Sequence, residues 1–150
     1  MVSLHPPLSG LPLAAALGLL VCEVLSCFSN LRARMNGYRS ALVLCVVCSA
    51  CLSFLSGYQA SSDLGTIAGD VERELGKHHA LGRFYLMSAL FLGTFFVVGR
   101  KARYGKHVLL ALYYAALIAV VSLTVWTGRL GGDLVFEHGV GVKTKVTNPS

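Results

Sequence analysis

The chain has 150 residues, 55% of them apolar and only 13% charged, with a formal net charge of +6 and a mean hydropathy of +0.65. A soluble domain carries about 25% charged residues, so this composition excludes an ordinary water-exposed surface. The basic residues stand in short clusters between apolar runs rather than along one polar face, which argues against nucleic acid and for the lipid bilayer as partner.

One integral membrane domain is expected over residues 1–150. Met1-Val2-Ser3-Leu4-His5 carries no Lys or Arg, and the apolar run after it is too long for a secretory h-region, so it is read as a retained segment. Leu8 to Phe28 is the first expected span, with Glu23 its sole charge, since about 20 apolar residues cross the hydrocarbon core as a helix. Pro6 and Pro7 suit a first helical turn. Asn30 to Arg39 follows as a polar connection holding Arg32, Arg34 and Arg39.

Ser40 to Tyr58 is the second span and is uncharged. Gln59 to Lys77 is the longest polar connection. From Asp70, a candidate N-cap, it is expected to run as helix into the third span, about Leu81 to Gly99. Arg100 to His107 is a short basic turn, and Val108 to Thr127 is the fourth span. Connections of these lengths favour antiparallel neighbours, so the expected fold is an all-α, up-down-up-down bundle of four transmembrane helices.

Charge suggests an orientation. The first and third connections hold Arg32, Arg34, Arg39, Arg100, Lys101, Arg103 and Lys106. By the positive-inside rule these connections are cytoplasmic, with both termini and the second connection outside. Helices in lipid pack through small residues at four-residue spacing. Candidate packing faces are Gly10, Ala14 and Gly18; Cys45, Ser49, Ser53 and Gly57; Gly82, Ala89 and Gly93; and Ala111, Ala115 and Ala119.

After the fourth span comes the most particular stretch, Gly131 to Val142, with paired glycines, Asp133, Glu137 and His138. It is read as a glycine-rich loop that folds back to present His138. In the expected topology His5, His78, His79 and His138 all lie on the external side, and His107 alone is cytoplasmic. Neutral imidazole is the commonest metal ligand, and two imidazoles on opposite sides can ligate a haem iron. Gly82, four residues after His78 and on the same helix face, leaves room for a flat macrocycle or for a neighbouring helix. The competing reading has these histidines as interfacial residues bonded to carbonyls or headgroups.

Three stretches together resemble a known family: His5-Pro6-Pro7-Leu8 with Pro12, His78-His79-Ala80-Leu81-Gly82, and Gly131-Gly132 leading to His138-Gly139. It is the uncharacterised bacterial four-helix membrane family called domain of unknown function 2231, and the resemblance spans nearly the whole chain. Some members are fused to Rieske-type or cytochrome-like modules, which implies an electron-transfer setting by analogy. His5, His78 and His138 match the family's motif histidines. The pattern often has another histidine shortly before the proline seen here as Pro12, where this chain has Gly10.

Other features carry weaker signals. Glu23 is an intramembrane carboxylate and so a functional candidate, for protons or a quinone; pairing with Arg32 or Arg39 is the favoured reading. Cys45, Cys48 and Cys51 imitate part of an iron–sulfur run, but on a helix each step turns through roughly 300°, so buried small hydrophobes are expected. Trp126, Tyr58 and Tyr85 are assigned to an external aromatic belt. Asp133 and Glu137 either orient His138 or are solvated. No nucleophile–base pair or phosphate loop is visible, which disfavours a hydrolase or transferase.

The leading expectation is therefore a subunit of membrane electron transfer in a bacterial inner membrane. It would bind haem b near the external face through His78 and His138, with His5 as substitute and His79 nearby, and serve an external electron-transfer protein. The alternative is a cofactor-free accessory subunit packed among other membrane subunits of a respiratory or photosynthetic complex. A third reading is transition-metal binding at His5, His78, His79 and His138.

Overall fold

A computed structural model describes residues 10–62 and 69–140. They form four helices: α1 (Gly10–Leu25), α2 (Ser29–Ser62), α3 (Gly69–Lys101) and α4 (Lys106–Phe136). Each helix packs on two neighbours in the order α1, α2, α3, α4 and back to α1, and among the described residues the diagonal pairs do not meet. The side-chain contacts make all neighbours antiparallel. Gly18 faces Leu42 while Glu23 meets Arg39; Val47 faces Gly93 while Ser40 meets Arg100; Gly99 faces Leu109 while Gly131 meets His78. This is the expected up-down-up-down bundle.

The helices α2, α3 and α4, of 34, 33 and 31 residues, are each long and apolar enough to cross a membrane. The described part of α1 is shorter, at 16 residues, and the expected start at Leu8 lies outside the described residues. Its end comes at Leu25 rather than Phe28. There the Cys27 and Phe28 amides bond back to the Val24 and Leu25 carbonyls, and the Ser26 hydroxyl caps the Cys22 carbonyl at 2.7 Å. These tight turns reverse the chain within three residues.

One expected connection and part of the expected glycine-rich loop are helix instead. Asn30 to Arg39 forms the opening turns of α2, because Leu31, Arg32, Ala33, Arg34 and Met35 are good helix formers and the stretch has no proline. The continuous run of α3 through Asp70 to Gly99 is as expected. At the far end, Gly131 and Gly132 do not open a loop: α4 continues through them to Phe136. Glycine in a helix costs about 1 kcal/mol relative to alanine, but Leu134 stays on the buried face and Gly131 has a packing partner, so the pattern persists. The helix stops at Gly139, which adopts φ +64° and donates its amide to the Val135 carbonyl at 3.1 Å. That is the left-handed termination that glycine adopts without the backbone strain an L side chain would meet there.

The core consists of Ala16 and Leu19 from α1, Val43, Val46 and Ala50 from α2, Tyr85, Ala89 and Leu92 from α3, and Tyr113, Leu117 and Val120 from α4. Small residues serve the seams only in part. Gly18, Ser49, Ala89 and Gly93 lie at contacts, and a Cβ at Gly93 would stand 3.0 Å from Val47. The other expected faces are corrected: Ala14, Cys45, Ala111 and Ala115 are exposed. On α4 the buried row is Tyr113, Leu117, Val120 and Thr124, because larger side chains follow the 3.6-residue period inward there. Tyr85 is likewise in the core rather than in an aromatic belt, while Tyr58 and Trp126 are exposed.

Candidate functional site

At the end of the bundle where α1 meets α2, Glu23 is buried, with 4% of its side chain exposed. Its Oε1 accepts from Arg39 Nε at 2.7 Å and from the Tyr113 hydroxyl at 2.6 Å, and its Oε2 accepts from the Tyr114 hydroxyl at 3.2 Å. A carboxylate stripped of water costs several kcal/mol unless charge and hydrogen bonds compensate it. Here three donors from α2 and α4 converge on a group from α1. Of the two anticipated partners Arg39 makes the pair, while Arg32 donates to the Ser26 carbonyl at 3.2 Å.

The two tyrosines escaped the sequence reading. They stand about 100° apart on α4, with ring centroids 5.3 Å apart and edge-on, so both hydroxyls can reach one carboxylate. The signal was available. Glu23 lies late in the first apolar run and Tyr113-Tyr114 early in the fourth, and antiparallel helices put those positions at one depth.

The histidines lie towards the opposite end. His78, on α3, is half-buried against α4: a Cβ at Gly131 would stand 3.2 Å from its Cε1 and 3.7 Å from its Nδ1. Glycine is what lets the imidazole approach the α4 backbone. His79 is its neighbour, with ring centroids 6.2 Å apart and planes inclined at 52°. His138 is exposed in the terminating turn of α4, roughly two turns beyond Gly131. It lies within electrostatic reach of Glu74, which sits one turn before His78 on α3. The Lys77 ammonium donates to Glu74 at 2.7 Å and holds that carboxyl below its ordinary range.

His78, His79 and His138 thus share one end of the α3–α4 pair. His5 lies outside the described residues. Asp133 and Glu137 make no side-chain bond to His138 among the described residues; the Glu137 amide bonds the Asp133 carbonyl as part of the helix. Among the described residues no group of three or more His, Cys, Asp or Glu could hold a metal ion. His107 is exposed at the other end.

The cysteines do not converge. Cys45 and Cys48 are exposed, Cys51 is half-buried, and all five cysteines are free. The expected burial is corrected: Cys45 and Cys48 look outward rather than into the core.

Residues 1–144 match the family model described as "Predicted membrane protein (DUF2231)". No curated protein and no solved structure matches the chain.

Proposed function

The chain belongs to the DUF2231 family of predicted membrane proteins, and from that premise we propose that it is a membrane electron-transfer subunit carrying a haem b at its histidine end. The observation that supports this reading is that His78 and His79 on α3 and His138 in the turn after α4 lie at one end of an apolar bundle. A haem, when bound, supplies one-electron chemistry at its iron. The chain's own residues would fix its place and its surroundings.

A haem would be held by His78 with His138 rather than by the neighbouring His78 and His79, whose rings are tilted by 52°. His78 lies on α3 and His138 in the turn after α4, and His5 is the substitute for either. Gly131 seats His78 against α4, which fixes the ring plane. The half-burial of His78 against α4 shields part of the imidazole from water, and burial is one of the levers on a haem's potential.

The orientation belongs to the same proposal. Arg32, Arg34, Arg39, Arg100, Lys101, Arg103 and Lys106 cluster at the end away from these histidines, so that end is cytoplasmic and the histidine end faces an external electron-transfer partner across a bacterial inner membrane. Membrane-impermeant labelling of a single cysteine placed at Tyr104 or at Glu137 tests it: only the second should react from outside.

A cofactor-free accessory subunit is the second reading. The His78 ring on Gly131 favours it, being a close contact that needs no ligand to complete it. An oxidised-minus-reduced visible spectrum of the detergent-purified protein, with pyridine haemochrome and metal analysis on the same sample, decides. A b-type spectrum supports the proposal, a metal without haem supports transition-metal binding, and a colourless, metal-free, folded protein leaves the accessory role.

A further inference from the structure

At the arginine-rich end a half-open cavity of about 390 Å³ lies between α2, α3 and α4, its walls including Asn36, Arg39, Phe96, Arg100, Lys106 and Tyr113. We infer that this cavity seats the phosphate-bearing headgroup of an anionic phospholipid. The inference stands apart from the histidine end and does not depend on a haem.

Charge comes first. Arg39 is already answered by Glu23 at 2.7 Å. Arg100 has only neutral partners: its Nη1 donates to Ser40 Oγ at 2.8 Å, and its guanidinium lies 5.6 Å from the Phe96 ring centroid. Among the described residues neither Arg100 nor Lys106 has a carboxylate within salt-bridge reach. The wall therefore presents two uncompensated cations from two helices. Asn36 adds an amide that can donate to a phosphate oxygen.

Depth comes second. The cavity sits where the apolar run of α3 ends, at Gly99-Arg100, and that of α4 begins, at Lys106-Leu109. This is the level of lipid headgroups, and basic pockets between helices on the positively charged side of a membrane protein suit acidic lipids. A free anion would need only the charges. A lipid also needs an apolar track for its chains, and one is present: Phe95 and Leu110 line the cavity. Phe91 stacks on Phe95 with centroids 6.0 Å apart, and Phe91 and Leu110 are exposed towards the bilayer.

The test titrates the detergent-purified full chain with phosphatidylglycerol, with phosphatidylcholine and with inorganic phosphate, following thermal stability and bound lipid by native mass spectrometry. The Arg100→Gln, Lys106→Gln double variant should bind phosphatidylglycerol roughly 10- to 30-fold more weakly, the scale set by losing two interfacial cations. The Lys101→Gln, Arg103→Gln variant removes the same charge at the same end but outside the cavity, and should bind as the parent does. Gly99→Leu keeps every charge and fills the cavity, and should weaken binding too; it decides the matter if the double variant fails to fold. Equal weakening in the two double variants would overturn the proposal in favour of a diffuse positive surface. So would equal binding of phosphatidylcholine, or an effect of inorganic phosphate matching that of the lipid.

Discussion

At one end of this bundle a carboxylate from α1 is held by Arg39, Tyr113 and Tyr114; at the other an imidazole from α3 rests on the bare backbone of Gly131. Both ends place a polar side chain within an apolar frame, but they resolve its cost differently. The Glu23 carboxylate accepts from three donors on two other helices, so its demand for hydrogen bonds is met inside the protein. At the histidine end a glycine gives the ring its place: a Cβ at Gly131 would stand 3.2 Å from His78 Cε1. The lesson is that converging donors lock a buried charge, while a glycine beside a ring lets two helices close on it.

The largest expected effect breaks the lock from the cationic side. Arg39→Leu leaves a buried carboxylate without its counter-charge and should cost about 3 kcal/mol, the low end for a broken buried pair, because the Arg39 side chain is 21% exposed. Unfolding in mixed detergent micelles measures it. Glu23→Leu should cost less, since it removes the buried charge itself and lets Arg39 extend to water. Equal costs, or none, would mean that Glu23 is not the organising charge.

A second, smaller difference separates the tyrosines. A hydrogen bond to a charged group contributes about 1.5–3 kcal/mol, so Tyr113→Phe, losing a 2.6 Å bond to Oε1, should destabilise by about 2 kcal/mol. Tyr114→Phe loses a 3.2 Å bond from a more exposed ring and should cost about 0.5 kcal/mol. The same micellar unfolding orders the two, and a reversed order would place the main acceptor on Oε2.

Much of the frame was legible from residue type alone. Charge-poor runs of sufficient length gave four helices, and clustered arginines marked one end. Boundaries were less so, for local reasons. Asn30 to Arg39 is polar yet carries no proline and several good helix formers, so its polarity does not make it a loop. Gly131-Gly132 suggests a loop because glycine permits positive φ, yet here Gly131 has a use within a helix, as the seat of His78. The stripe of Ala111, Ala115 and Ala119 fits a small-residue seam, but Tyr113 and Leu117 fill the interior instead. At the candidate sites the ion pair of Glu23 with Arg39 could be anticipated from reach. The tyrosine donors needed helix depth as well as sequence distance.

The mildest prediction concerns the glycine seat. In Gly131→Ala the gain in helix propensity, about 1 kcal/mol, opposes a Cβ contact of 3.2 Å to His78. Stability should change by less than about 1 kcal/mol, while the His78 imidazole resonances move in the NMR spectrum of the labelled protein. Unmoved resonances would mean that Gly131 does not position this ring.

The most direct test of the central claim, that the histidine end and not the carboxylate end is the site of redox chemistry, is an oxidised-minus-reduced spectrum taken in parallel on the parent, His78→Ala and Glu23→Leu proteins. A b-type difference spectrum present in the parent, lost in His78→Ala and retained in Glu23→Leu is the expected result. A folded parent with no such spectrum would contradict the claim, as would a signal that survives His78→Ala and disappears in Glu23→Leu.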